Sequence, residues 1–272
     1  MPELPEVETI ARGLARRVTG DVIESVWLGK KPEPLKSSAR EIAAAVESTR
    51  VVSVRRIGKH IVFELQRHTQ KPRQAQFIVH LGMTGRLQVC HAQAEISKHT
   101  HAILKLASGR ELRFIDPRRF GRLSVARRGD FDTVGIEPLE IDVDRFIPLF
   151  RGRKTPIKSA LLNQKLLRGV GNIYADESLF RAGIRPRRRA STIRHDQYVK
   201  LLAAIKEVLK EAIALGGSSI SDYVDDNGDE GFFQLQHRVY GREGEPCLFC
   251  KTPIRRIVIA GRSSHYCPTC QK

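Results

Sequence analysis

The chain begins MPELPEVETI, which places an imino acid and several carboxylates together near the N-terminus. Two interpretations of this opening are possible. Pro5 suits the first turn of a helix, and Glu3 and Glu6 suit the positive N-terminal end of its dipole. Alternatively, removal of Met1 would free the secondary amine of Pro2, which could then act as a nucleophile. The opening alone favours a helix start, because helix starts of this kind are common.

A second group of reactive side chains lies near the C-terminus, in the paired motifs CLFC and CPTC. Four thiolates at this spacing predict a tetrahedral zinc site, with the ligands Cys247, Cys250, Cys267 and Cys270. A closed set of four sulfurs leaves no position for water, so we expect one structural zinc ion. The alternative of two disulfides is disfavoured because no secretion signal precedes the chain. His265 is not needed as a ligand, and Cys90 is left outside the set.

The charge of the chain predicts a polyanionic partner. Lysine and arginine exceed aspartate and glutamate by 17, and the isoelectric point is about 10.1. Nucleic acid is the leading candidate, although charge alone does not separate DNA from RNA, and ribosomal or membrane-surface proteins are equally basic. With no apolar run long enough to span a bilayer and no signal peptide, we expect a cytoplasmic protein.

Two kinds of element must position these groups. The segment LPEVETIARGLARRVTG has helical periodicity, and Ser38 and Glu41 have capping-box spacing in a second helix. Short strand-like runs follow, with a hairpin turn predicted at Ser108-Gly109. Their number favours an antiparallel β-sandwich. From about Thr155 the pattern becomes helical, and the run IRRIVIAGRSSHY between the cysteine pairs fits a β-hairpin.

Six motifs occur in order along the chain: PELPEVET, GKHIVFEL, HLGMTGRL, DPRRFGR, KSALLNQKLLRGVGNIYADESLFRAGI and the terminal CxxC…GRSSHYCPTCQK. Taken together they resemble the bacterial formamidopyrimidine-DNA glycosylases, which repair oxidised purines and cleave abasic sites. The resemblance covers essentially the whole chain. It implies an α+β protein in which an N-terminal antiparallel β-sandwich with flanking helices precedes a helix–two-turn–helix domain with a four-cysteine zinc-finger hairpin. We predict a sandwich domain over 1–133, a linker over 134–154, a helical domain over 155–239 and a zinc finger over 240–272.

The resemblance also implies a role for the N-terminus. Such a lyase needs a neutral amine that attacks the sugar C1′ and becomes an iminium. A lysine with a pKa of about 10.4 is roughly 0.04% neutral at pH 7, whereas an α-amine near 7.8 is roughly 14% neutral. Pro2 is thus the matching nucleophile. Glu3 would donate a proton to the sugar O4′ or to the departing base, and a dry pocket would keep that acid protonated.

Four other positions near the chemistry match the family. Glu6 matches a supporting position, although a helix-start carboxylate explains it nearly as well. Lys59 matches a lysine that donates a proton during β-elimination, and Arg262 matches an arginine of δ-elimination, although a phosphate contact would need the same guanidinium geometry. Leu4 favours the purine branch, because the related endonuclease VIII enzymes usually have glycine there.

Contacts to double-stranded DNA are implied at a further set of positions. An enzyme that acts on a paired base must flip it out and fill the gap. Met83, Arg118 and Phe120 match the family's intercalating wedge, although core packing is the simpler interpretation of Met83 and Phe120. The remaining predicted DNA contacts are His99, Arg153, Lys158 and Asn172; a helix cap is the alternative for Asn172.

The acidic, glycine-containing segment from Ser218 to Tyr240 matches a loop that covers the flipped base. The resemblance thus predicts a monomeric glycosylase and lyase that acts on oxidised purines in duplex DNA. Two alternatives remain: an endonuclease VIII-like enzyme for oxidised pyrimidines, and a DNA-binding zinc protein without catalysis. The second is disfavoured because Pro2, Glu3 and Lys59 are all present.

Overall fold

The computed structural model describes residues 1–67, 73–131, 135–218 and 231–272. The chain divides into two compact units, of which the first comprises Met1–Asp132 with Gly216–Gly231 and the second Thr133–Leu215 with Phe232–Lys272. Across the described ranges, no helix has the length and apolarity needed to cross a bilayer.

The first unit opens with α1 (Leu4–Val18), which confirms the predicted N-terminal helix. Its buried face carries Val7, Ile10, Leu14 and Val18 at helical spacing. Gly20, with φ of +87°, turns the chain out of the helix. The helix start is therefore real, and it also fixes where the residues before Leu4 lie.

Eight strands of the first unit pair antiparallel throughout, in the order β5-β7-β6-β1-β2-β3-β4-β8. The hairpin predicted at Ser108-Gly109 joins two of them, and Gly109 has the positive φ that its turn requires. The strands are β1 (Val22–Leu28), β2 (Thr49–Ile57), β3 (His60–Arg67), β4 (Arg73–His80), β5 (Arg86–His91), β6 (Thr100–Leu106), β7 (Arg110–Ile115) and β8 (Arg122–Arg127).

The predicted sandwich is confirmed by how this sheet packs. Register shifts interrupt the pairing of β1, β2 and β6, where bulges allow strands to bend. All eight strands contribute side chains to a single buried core, which includes Phe63, Phe77 and Phe114 together with α1. The second helix, α2 (Ala39–Val46), adds Ile42 and Val46 to this core and has the predicted capping box at Ser38.

The second unit contains four helices within the described residues: α3 (Val143–Phe150), α4 (Ile157–Leu161), α5 (Asn172–Arg181) and α6 (His195–Ala214). Part of the segment predicted as a linker, 134–154, is thus helical. The rings of Phe146 and Phe150 lie 4.8 Å apart at a tilt of 55°, and Phe150 stacks on the Tyr198 ring of α6, so apolar burial makes this stretch part of the unit. The domain boundaries themselves stay a prediction.

The C-terminal hairpin consists of β9 (Arg255–Ile259) and β10 (Arg262–Tyr266), paired antiparallel as predicted. Its turn residues Ala260 and Gly261 both have positive φ, as a two-residue type I′ turn requires. The preceding segment is held to α5 by the buried carboxylate of Glu177, which accepts hydrogen bonds from the backbone N–H groups of 238–240.

Candidate active site and nucleic-acid interface

The N-terminal residues before α1 lie inside the first unit. Pro2 is buried, and Glu3 is only 3% exposed. The backbone N–H of Glu3 donates to Glu6 Oε2 at 2.8 Å, so the first turn of α1 fixes the direction in which the chain enters it. The hydrogen bond of Glu6 at the helix start therefore also helps to hold the buried Pro2 in place.

Glu6 makes a second contact, which sequence analysis did not predict. Its Oε1 accepts a hydrogen bond of 2.8 Å from the backbone N–H of Ser218. Gly217 passes so close that an added Cβ would lie 2.7 Å from the same oxygen. The carboxylate thus connects the N-terminus to the described beginning of the predicted base-covering loop. Of the predicted loop from Ser218 to Tyr240, residues 219–230 lie outside the described residues.

Lys59 lies in the same region of the first unit. It follows Gly58 in the turn between β2 and β3 and is 8% exposed. Burial lowers the pKa of the Met1 amine, and the charges that act on this amine include Glu3, Glu6 and Lys59. Burial is the largest effect on this amine and, with the charge of Lys59, favours its neutral, nucleophilic form, whereas Glu3 and Glu6 favour its protonated form.

Two loops carry the predicted wedge: Met83 lies in the loop between β4 and β5, and Arg118 and Phe120 lie in the loop between β7 and β8. Met83 is 41% exposed and Phe120 is 48% exposed, so the alternative of core packing is wrong for both. The guanidinium of Arg118 lies over the Phe120 ring, 4.8 Å from its centroid. Exposed apolar side chains beside an arginine are suited to enter a base stack. His99 is partly buried, in the segment that leads into β6.

In the second unit, Arg153 is exposed, as a phosphate contact requires, although its Nε also donates to Leu149 O. Asn172 is the first residue of α5, while the N-cap position belongs to Gly171. The Asn172 amide instead donates to Ser263 Oγ at 3.3 Å, and its Oδ1 has no hydrogen-bond partner among the described residues. The helix-cap alternative for Asn172 is therefore not supported.

Lys158 differs from the prediction of a direct DNA contact. Its side chain is fully buried, and its Nζ bonds to Asp176 Oδ1 and to Ser263 O, both at 2.6 Å. Asp176 Oδ2 also accepts from the backbone N–H of His265. The Lys158 ammonium therefore connects α4 to α5 and β10 inside the unit, and a direct phosphate contact is not supported. The sequence did not reveal that Asp176 and Ser263 are the partners of Lys158, because these residues come together only after folding.

The four predicted zinc ligands converge. Their sulfurs all lie within 4.8 Å of one another, close enough for all four to converge on one metal ion. All four cysteines are free thiols, and the separations of 3.4 Å for Cys250–Cys267 and 3.9 Å for Cys247–Cys270 are too long for disulfides. The thiol set fits one zinc ion, which these cysteines would hold as a closed structural site.

The zinc hairpin carries Arg262 next to its tip. Arg262 is exposed and opens β10 directly after the tight turn, opposite Ile259. Its guanidinium can therefore reach away from the hairpin. The zinc site at the other end of β9 and β10 fixes the direction in which this tip projects.

Sequence analysis missed two polar residues beneath the wedge, Thr84 and Asp116. Both occur in the motifs HLGMTGRL and DPRRFGR, where the predictions concerned their exposed neighbours. The signal available was an aspartate directly before a proline at the end of a strand, which is typical of a residue that caps a turn.

Comparison with known proteins gives consistent results along the whole chain. Family models match at residues 1–123 (formamidopyrimidine-DNA glycosylase N-terminal domain), 134–224 (formamidopyrimidine-DNA glycosylase H2TH domain) and 244–272 (zinc finger found in FPG and IleRS). The formamidopyrimidine-DNA glycosylase of Solibacter usitatus is 47% identical, with both chains covered fully.

Two solved structures extend this similarity to the fold. The MutM (FPG) protein of Thermus thermophilus superposes with a TM-score of 0.87 at 42% identity, covering 99% of this chain and 98% of that one. A Lactococcus lactis FPG variant, solved with DNA containing Fapy-dG, has a TM-score of 0.91 at 32% identity with both chains covered fully.

Proposed function

The chain belongs to the formamidopyrimidine-DNA glycosylase family, and we propose that it removes oxidised purines from duplex DNA through the amine of Pro2. It is a DNA glycosylase and AP lyase of base excision repair. The observation that carries the proposed mechanism is the burial of Pro2 and Glu3 in the same region as Glu6 and Lys59.

The proposed nucleophile requires removal of Met1. The freed Pro2 nitrogen would attack the sugar C1′, forming a C–N bond as the bond from C1′ to the damaged base breaks. Because Pro2 is buried where burial already lowers the pKa of the Met1 amine, its own amine would be shifted towards the neutral form. The nitrogen then loses its proton, and the C1′–O4′ bond breaks as O4′ is protonated, which leaves an iminium between C1′ and the Pro2 nitrogen. The iminium withdraws electrons, so the C2′ proton can be lost and the 3′ phosphate can leave, followed by the 5′ phosphate.

Proton transfers would be divided between two enclosed residues. Glu3, at 3% exposure, would protonate the sugar O4′ or the leaving base. Lys59, in the turn before β3, would donate a proton during β-elimination. Glu6 would act indirectly, because its carboxylate holds the backbone N–H groups of Glu3 and Ser218 and so fixes Glu3 beside Pro2.

DNA engagement would use both units. Met83 and Phe120 would fill the gap left by the flipped base, and Arg118 would bond to the orphaned cytosine. The proposed contacts to the DNA backbone are His99, Arg153 and Asn172.

The zinc ion would act structurally, by holding the hairpin that presents Arg262 for δ-elimination or for a phosphate contact. Lys158 would support that hairpin from within, through its bond to Ser263 O. The enzyme would act as a monomer in the bacterial cytoplasm, where its DNA substrate is found; gel filtration tests the first of these proposals.

Cleavage of three matched duplexes tests the proposed substrate class. They contain 8-oxoguanine, formamidopyrimidine or thymine glycol at the same position and are assayed side by side under single-turnover conditions. We expect faster excision of the two purine lesions. Preference for thymine glycol would contradict the proposal and favour oxidised pyrimidines, and binding without cleavage of any of the duplexes would indicate a DNA-binding protein without catalysis.

A further inference from the structure

Asp116 is a fully buried carboxylate at the end of β7, beneath the exposed wedge. Its Oδ2 accepts a hydrogen bond of 2.7 Å from the backbone N–H of Gly121. Its Oδ1 accepts from Thr84 Oγ1 at 2.6 Å and from the backbone N–H of Arg118 at 3.2 Å. One side chain therefore bonds to both loops of the wedge.

The backbone of Asp116 reaches a third segment. Its N–H donates to His99 O at 3.0 Å, and its carbonyl oxygen lies 2.9 Å from the buried His101 Nε2. The three segments that meet at this residue are those that carry Met83, His99, and Arg118 with Phe120. All of these side chains belong to the proposed DNA contacts of the first unit.

The two wedge loops also touch through their glycines. A Cβ added to Gly82 would lie 2.5 Å from Gly121 N and from the backbone carbon of Phe120. A Cβ added to Gly121 would lie 2.5 Å from the Phe114 ring and 3.1 Å from Asp116 Oδ2. The loops therefore have no spare room between them, and the carboxylate bonds determine how they lie against each other.

We propose that Asp116, with Thr84, is a positioning residue that holds the wedge loops and the His99 segment as one preorganised unit for entry into duplex DNA. This inference rests on the proposed role of Met83, Arg118 and Phe120. Insertion into a base stack must offset the cost of unstacking, so any further ordering of the loops at that moment would slow it. A carboxylate suits the position because three donors converge on it, whereas an asparagine side chain offers one acceptor oxygen.

The test compares Thr84→Val with Thr84→Ser. Valine keeps the shape of threonine but removes the hydroxyl, whereas serine keeps the hydroxyl that bonds to Asp116. The single-turnover excision rate is measured on 8-oxoguanine paired with cytosine and on 8-oxoguanine opposite an abasic gap, where less pairing opposes extrusion. Fluorescence of 2-aminopurine beside the lesion reports base extrusion directly.

For Thr84→Val we expect excision of the paired lesion to slow by about 10-fold to 100-fold, as loss of one charge-assisted hydrogen bond implies. Excision opposite the gap should slow by less than about threefold, since little extrusion is required. The 2-aminopurine signal should rise more slowly on the paired duplex, and Thr84→Ser should retain the parent's rates. Asp116→Asn should behave as Thr84→Val does, with unfolding midpoints measured for every variant.

Equal slowing of Thr84→Val on both substrates would overturn the inference, because it would indicate general damage to the scaffold. Parent-like extrusion and excision by this variant would overturn it as well. If the parent protein excises 8-oxoguanine from neither duplex, the proposed function is wrong. The rate of the 2-aminopurine signal in parent and Thr84→Val then tests the positioning role of Asp116 and Thr84 by itself.

Discussion

The substitution Gly217→Ala tests how firmly the N-terminal arrangement depends on Glu6. Gly217 has φ of +86°, where an alanine costs about 1 kcal/mol more than a glycine. The added Cβ would lie 2.7 Å from Glu6 Oε1 and 2.9 Å from Glu6 Cγ, both shorter than van der Waals contact. Glu6 is 2% exposed and both of its carboxylate oxygens accept hydrogen bonds, so any shift of the carboxylate disturbs those bonds.

Relief of this clash requires Glu6 to shift, which weakens the bonds of 2.8 Å that it accepts from Glu3 N and Ser218 N. A hydrogen bond to a charged group contributes about 1.5–3 kcal/mol. Loss of one such bond together with the backbone strain gives a destabilisation of about 2.5–4 kcal/mol. Because Glu6 also fixes the backbone of Glu3, we expect slower excision by the folded variant.

The matched control is Gly216→Ala. Gly216 has a similar φ of +76°, but within the described residues the atom nearest to its added Cβ would be Gly231 Cα, at 3.6 Å. We therefore expect a loss of only about 1 kcal/mol. Denaturant unfolding followed by the fluorescence of Trp27, the single tryptophan, reports on the first unit. Equal destabilisation by the two substitutions would refute the proposed role of the Glu6 contact.

Three further outcomes are expected. Burial lowers the pKa of His60 and His80 to about 4, so below pH 6.5 these histidines bind protons in the unfolded first unit but not in the folded one. The free energy of unfolding of this unit, measured with denaturant, should therefore fall as the pH drops from 6.5 to 4, by about 2 kcal/mol per histidine at pH 5. A free energy of unfolding that stays constant over this pH range would contradict the prediction. Lys158→Met leaves Asp176 buried without its cation and should destabilise the second unit by about 3–5 kcal/mol, whereas adding Asp176→Asn should restore part of that loss in calorimetry; additive effects would argue against the pair. Cys267→Ala or zinc chelation should weaken binding to damaged duplex while the first unit keeps its unfolding midpoint, and unchanged affinity would show that the hairpin does not engage DNA.

Elements with a local cause could be predicted from the sequence. The face of α1, the capping box at Ser38 and the turn at Gly109 each follow from neighbouring residues, and all are present. The zinc site was equally accessible, because each CxxC pair specifies its own tight turn. Periodicity within a segment, or a motif a few residues long, was sufficient in every one of these cases.

Long-range polar contacts could not be predicted in the same way. The sequence suggests that Lys158 is a surface cation, whereas in the fold it is buried against Asp176 and Ser263. Asp116 binds Thr84 across 32 positions of the chain, which no local pattern reveals. The helix predicted from Thr155 onwards ends early, at Leu161, and a chain bend follows in place of further helical turns.

The exposure of the wedge residues could not be predicted from their hydrophobicity. Met83 and Phe120 are apolar, and composition alone would place them in a core. Their loops instead expose them, while the backbones at Gly82 and Gly121 pack closely and the buried Asp116 bonds to Gly121 N–H.

Trapping of the iminium would show whether the Pro2 amine is the nucleophile. Borohydride should reduce the intermediate and leave the protein covalently joined to DNA containing 8-oxoguanine. Two preparations are compared, with mass spectrometry verifying that Met1 has been removed in one and retained in the other. We predict trapping only when Met1 has been removed, because retention makes the Pro2 nitrogen a tertiary amide without a nucleophilic lone pair. Undiminished trapping in the preparation that retains Met1 would rule out Pro2 and leave the Met1 amine or Lys59 as the nucleophile.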